Sequence, residues 1–175
     1  MADAFAALPG FYRLVFLYIE PLTTFIPFLF VWITPGAKWF FQEQVPYNIP
    51  ASTPLDDRTY MVVTQLVNCY MLLGLLSSFV FRAVRDTLPN NPAAQERILG
   101  ASFLALAIAD ATHVLATFIG LPENLRFSPQ HWNVMTHGNI TTTTLYLVTR
   151  VAWFMGIGRT RFYFGQKKSQ RAKLT

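Results

Sequence analysis

Residues 98–120 read ILGASFLALAIADATHVLATFIG. About 20 apolar residues suffice for a helix to cross the hydrocarbon layer of a bilayer, and this run meets that length while carrying Asp110 near its middle. An ionised side chain at that depth costs about 2.5–3.5 kcal/mol on insertion scales. Such residues face the interior of a helix bundle, find partners there, and mark a function. Two more stretches repeat the pattern: FYRLVFLYIEPLTTFIPFLFVW at 11–32 holds Glu20, and ITTTTLYLVTRVAWFMGIG at 140–158 holds Arg150.

The whole chain agrees with a membrane reading. It has 175 residues, 53% of them hydrophobic and 13% charged, with 16 phenylalanines. Soluble domains carry about 25% charged residues. The apolar stretches lie at 11–34, 60–82, 98–120 and 139–158. They predict an all-α fold, a four-helix transmembrane bundle forming a single integral-membrane domain over 1–175. The first stretch reads as a retained span rather than a signal peptide, since no basic segment precedes it and the aromatic TPGAKWFF, not a small-residue cleavage site, follows. The lone Cys69 can form no internal disulfide.

Charge placement orients the bundle. Four spans bring both termini and the 83–97 loop to one side, with Arg82, Arg85, Arg97 and the basic tail 159–175 set against Asp86 and Glu96. The other side holds Lys38, Arg58 and Arg126 against Glu43, Asp56, Asp57 and Glu123. Lysine and arginine favour the cytosolic side, so both termini are expected there, in the endoplasmic reticulum membrane of a eukaryote. The net charge of +5 comes largely from the tail, which reads as a membrane-proximal anchor rather than a nucleic-acid surface. In the connecting segments, KWFFQEQV predicts a short interfacial helix, Asp56 or Asp57 an N-cap for the second span, and PAAQE the opening of the third. The segment 121–138 is expected to cover the far end of the bundle.

The polar residues of the spans fall at similar depths. Glu20 lies roughly 13 Å into span one at helical rise, and Asn68, Asp110 and Arg150 also reach the middle third of theirs. Helical spacing groups them into stripes: Arg13, Phe16 and Glu20; Gln65, Asn68, Cys69 and Leu72; Asp110, His113 and Thr117; Asn139, Thr143, Tyr146 and Arg150. A bundle can turn all four inward. Pro21 removes a backbone donor just after Glu20, and Pro27 repeats the disturbance. Broken helix is tolerated in a membrane where it is buried or lines a cavity.

The expected site is therefore a catalytic set of Glu20, Asp110 and His113, with Gln65, Asn68, Tyr146 and Arg150 binding substrate or water. Two carboxyls sharing an apolar pocket with one arginine supply a proton donor and a base together. His113 could share the base role or orient Asp110, and Tyr12, Tyr18, Tyr70 and Tyr146 could donate to a developing alkoxide. A plainer reading pairs one acid with Arg150 as a structural ion pair, leaves His113 bonded to a neighbour, lets the threonines bond their own helix, and makes Gln65 and Asn68 interhelical glue. His131 and His137 lack partners at metal-ligand spacing, so no metal or cofactor is expected. The expected partners are a lipophilic small molecule and membrane lipids. A proton-coupled carrier is a further possibility, for which a homodimer could supply the missing inverted repeat.

The stretches FYRLVFLYIEPLTTF, QLVNCYMLL and LALAIADATHVL resemble a family of small fungal integral-membrane proteins. The resemblance runs from Pro9 to about Trp153, and its most specific piece is Ile19, Glu20 and Pro21, followed by Ala109, Asp110 and His113. Members occur in fungal secondary-metabolite pathways. The chain also looks like the small membrane epoxide hydrolases of fungal polyene-pyrone polyketides, of the aurovertin and citreoviridin type. That resemblance implies epoxide opening at Glu20 and Asp110. Fungal membrane terpene cyclases are more distant, being longer and having a Trp-Glu pair that is absent here. The four-span sterol isomerase and sigma-two receptor superfamily is similar in length, basic tail and buried acids only. Hydrolysis, cyclisation and double-bond isomerisation all remain open on the residues alone.

Overall fold

The computed structural model describes residues 5–46 and 54–165. Pro50 and the tail lysines and arginine Lys167, Lys168, Arg171 and Lys173 lie outside them. Among the described residues the regular structure is entirely helical. Three helices are long and apolar enough to cross a membrane: α1 (Gly10–Trp32), α3 (Asp57–Thr87) and α4 (Pro92–Gly120). Between the first two lies the short α2 (Ala37–Glu43), the interfacial helix expected from KWFFQEQV. A continuous helical run over 134–155, α5, closes the bundle. It is less apolar than the other three because it carries Asn139, four successive threonines and Arg150.

Capping follows the sequence. Asp56 accepts the backbone N–H groups of Arg58 and Thr59, both at 3.0 Å, and the Thr59 hydroxyl at 2.6 Å. Those bonds, the Thr59 hydroxyl first, hold its carboxyl below the usual aspartate range. The stabilisation they give is present above that ordinary range and is lost as pH falls through the lowered value. Asp56→Ala should therefore lower the unfolding temperature in detergent at neutral pH, and the gap to the native protein should close in acid. Asn91 caps Ala94 at 3.0 Å, with Pro92 at the first position of α4.

The 83–97 segment is not a loop of that length. Helix continues to Thr87 and resumes at Pro92; Asp86 and Thr87 at the end of α3 stay exposed, whereas the first turn of α4 is buried. Gln95 and Glu96 are fully buried. Gln95 Nε2 donates to the Leu88 carbonyl at 2.9 Å and its Oε1 accepts from the Ala7 N–H at 3.3 Å. Glu96 pairs with Arg159 at 2.7 Å, both side chains fully buried, and also accepts the N–H groups of Phe162 and Tyr163. A charge counted above with the loop and one counted with the basic tail thus form a buried pair that straps residues 159–165 across this end, called here the turn end.

The core is split in two. At the turn end, Phe5, Leu8, Phe16, Phe81, Leu99, Phe103 and Trp153 form one cluster, locked by Trp153 Nε1 donating to the Ala7 carbonyl at 2.9 Å. At the opposite, cap end, Val31, Ala37, Phe40, Val63 and Val67 form the other. Close approach of α1 to α3 depends on Gly74: a Cβ there would lie 2.6 Å from Thr24 Oγ1 and 3.0 Å from the Pro21 carbonyl oxygen. Gly74→Val should push α1 away and cost about 1–3 kcal/mol of stability, as overpacking does, readable as a lowered unfolding midpoint.

Candidate functional site

Pro21 has no N–H to offer the Leu17 carbonyl, and the helix responds in the turn before it. Val15–Ile19 is a π-turn inside α1, a distortion often found at functional sites. The Leu17 carbonyl oxygen is instead approached by Arg82 Nη2 at 3.5 Å. Thr23 and Thr24 hydroxyls both donate to the Glu20 carbonyl at 3.0 Å, so the turn carrying Glu20 is held by side chains where the backbone ladder is interrupted. A second π-turn, Gly138–Thr142, interrupts α5, with the Thr143 hydroxyl bonded to the Gly138 carbonyl at 3.2 Å.

Arg150, fully buried on α5, joins helices far apart in sequence. Its Nη2 donates to Glu20 Oε1 of α1 and its Nη1 donates to Asp110 Oδ2 of α4. Its guanidinium also stands 5.2 Å from the centre of the Phe16 ring, a cation–π placement. Burying a guanidinium costs several kcal/mol unless it is paired and hydrogen-bonded, and both carboxyls serve that need. The formal charge of the triad is minus one when both acids are ionised and zero when one carries a proton. Glu20 Oε2 and Arg150 Nε have no partner among the described residues, so the pairing leaves hydrogen-bonding capacity unused.

Glu20 and Asp110 form part of the wall of a cavity of about 590 Å³, within the usual range for small-molecule sites. Its walls are mainly apolar, from Ile26, Pro27, Phe30, Leu73 and Leu106. His113 and Tyr146 line it as expected, and so do Thr143 and Asn139 from the α5 stripe. The Tyr146 and Thr23 hydroxyls lie 2.8 Å apart. His113 sits edge-to-face with Tyr70 of α3, ring centres 6.1 Å apart, so these two rings bridge α3 and α4 beside the acids. No hydrogen bond joins His113 to Asp110 among the described residues, and the orienting role expected of it has no contact behind it.

Gln65 and Asn68 need correcting. Both are exposed, and neither lines the cavity. The inward face of α3 is Val63, Val67, Gly74, Ser77 and Phe81, so the stripe read as inward-facing is the opposite one. Helix-to-helix contact here selects small residues, Gly74 and Ser77, over amides. Among the tyrosines, Tyr70 and Tyr146 reach the cavity. Tyr12 instead donates to the Ile157 carbonyl at 2.6 Å, and Tyr18 is half-exposed beside Arg82.

The cap end supplies residues the sequence reading did not assign. Trp39 and Glu43 of α2, with Val134 and Met135 of α5, line the cavity. Asn133 Nδ2 donates to the Glu43 carbonyl at 2.9 Å and to Glu43 Oε2 at 3.0 Å, clasping α2 to the start of α5. The expectation that segment 121–138 covers this end is met at its last residues. A signal for Thr23 was available, since it lies three residues after Glu20 on the same face. None existed for Glu43, whose partner is 90 residues away.

No curated protein and no solved structure matches the chain. A family profile described as Domain of unknown function (DUF7704) matches residues 5–160. The buried acid pair, its arginine and the cavity beside them all lie inside that match, and the chain belongs to the DUF7704 family.

Proposed function

We propose that this chain is a membrane-embedded acid/base enzyme that opens the epoxide of a lipophilic polyketide or terpenoid in fungal secondary metabolism. In this reading α5 is a fourth span and both termini are cytosolic, as the arginines of the turn end favour, and the membrane is that of the endoplasmic reticulum. The observation that carries the reading is the meeting of Glu20 and Asp110 on one arginine at the wall of a largely apolar cavity. The resemblance to small fungal membrane epoxide hydrolases adds the substrate class.

The chemistry needs one proton donor and one base. A protonated carboxyl of the pair gives its proton to the epoxide oxygen as a carbon–oxygen bond breaks. Water attacks the carbon, the ionised carboxyl takes the proton that water releases, and the product is a diol, the epoxide plus one water. An internal hydroxyl in place of water gives a cyclic ether and makes the enzyme a cyclase. Glu20 Oε2, without a hydrogen-bond partner among the described residues, suits the donor role, and the Tyr146–Thr23 hydroxyl pair suits the developing alkoxide. Shift of a double bond, as in a sterol or terpene isomerase, uses the same acid and base.

The test is incubation of membranes containing the protein with a polyene epoxide in ¹⁸O-water, with products read by mass spectrometry. Protein-dependent gain of one labelled oxygen supports hydrolysis, and an unlabelled isomer of the substrate supports cyclisation or isomerisation. No protein-dependent product from any epoxide of a size range suited to the cavity counts against the proposal. The rival reading, a non-catalytic lipid-binding or scaffold protein, draws on the fact that Arg150 already engages both carboxyls. It predicts that Asp110→Asn lowers thermal stability. A catalytic acid replaced by its amide often leaves stability intact or improved.

A further inference from the structure

We propose that the outward stripe of α3, formed by Met61, Gln65, Asn68, Leu72, Leu75 and Phe79, is the seam along which two copies of this chain pair side by side in the membrane. The spacing along the stripe is four, three, four, three and four residues. That is the 3.5-residue period by which two helices interlock knobs into holes. The seam runs roughly 27 Å at helical rise, most of a bilayer's hydrocarbon thickness.

The stripe faces away from the protomer's own core, which α3 meets through Val63, Val67, Gly74, Ser77 and Phe81. Met61 and Leu72 are each 58% exposed and Phe79 66% exposed. Exposed apolar residues are ordinary on a lipid-facing helix, but the two amides are not. Each carboxamide has two N–H donors and an acceptor, and among the described residues neither Gln65 nor Asn68 has a hydrogen bond. Several other polar side chains of the helices are satisfied within the chain. Thr64 bonds the Tyr60 and Met61 carbonyls, Thr112 those of Ile108 and Ala109, Thr149 that of Leu145, and Asn139 reaches Gln44. Hydrocarbon offers no water to make up the difference.

A second copy fits because an amide is its own complement. Copies of one membrane protein insert with one orientation, so a two-fold axis along the bilayer normal sets Gln65 against Gln65 and Asn68 against Asn68 of its twin. A polar amide at such a seam also fixes register. The cavity is lined by a different face of α3, through Tyr70, Leu73, Gly74 and Ser77, so pairing leaves it accessible.

Two measurements test the seam on the full chain. Single cysteines at 61, 72 and 79 in a Cys69→Ser background are oxidised in native membranes, beside controls at Leu104 and Leu115, which are exposed on α4. Seam positions should cross-link into dimers and the controls should not. In liposomes, single-molecule photobleaching of Gln65→Leu/Asn68→Leu should show dimer formation weakened about tenfold or more, as loss of interhelical amide bonds implies, with the thermal midpoint of the protomer unchanged because neither amide touches it. Equal cross-linking at Leu104, no cross-linking on the seam, capture there of a different protein, or an unweakened dimer in the double variant overturns the proposal.

Discussion

Arg150→Met is expected to be the most destabilising single substitution in the chain, costing about 3–5 kcal/mol, as removal of one partner from a buried ionic cluster does. Glu20 and Asp110 would be left facing each other without a cation, one of them 6% exposed. Arg150→Lys should be milder for stability but still harmful, since a single ammonium cannot present the planar fork that meets two carboxyls from different helices. The triple variant Glu20→Gln/Asp110→Asn/Arg150→Met should recover most of the loss, because well-packed neutral groups often replace buried ions at little cost. Unfolding midpoints in detergent measure all three. A triple variant as unstable as Arg150→Met alone would mean that Arg150 acts through packing against Phe16 rather than through charge.

The second large effect concerns the proposed reaction. Replacing a general acid or base commonly costs 10²–10⁴-fold, so Glu20→Gln and Asp110→Asn should each reduce kcat for epoxide opening by about that range. Each amide keeps the shape of its carboxyl and can still accept a hydrogen bond from Arg150, so binding of the lipophilic body of the substrate should change little and the loss should fall on kcat rather than KM. Tyr146→Phe should cost less, because Thr23 remains 2.8 Å from the vacated position.

How much of this was legible in the sequence depends on contrast. Glu20, Asp110 and Arg150 stood out because a charge in an apolar run has few places to go but a partner inside the bundle, and the structure brings the three together. Asp56 as a cap and Pro92 as a helix start were legible because local backbone chemistry decides them. The facing of α3 was not. Its inner face is made of Val63, Val67, Gly74 and Ser77, which the hydropathy of so apolar a helix does not distinguish from its outer side, and the polar residues that seemed to mark the inside mark the outside. Glu96 was misread for a related reason. It looked like a loop charge, and only the return of Arg159 from 63 residues away makes it a buried one. The share of α2 in covering the cavity was hidden because Glu43 meets Asn133 across 90 residues of chain.

The most direct measurement is a double-mutant cycle on epoxide opening with Glu20→Gln, Asp110→Asn and the two combined. If the carboxyls of α1 and α4 act as one site through Arg150, the combined variant should be scarcely slower than the worse single variant, because either loss alone disables the pair. Losses that multiply in full, or single variants as active as the native protein, would contradict a shared site.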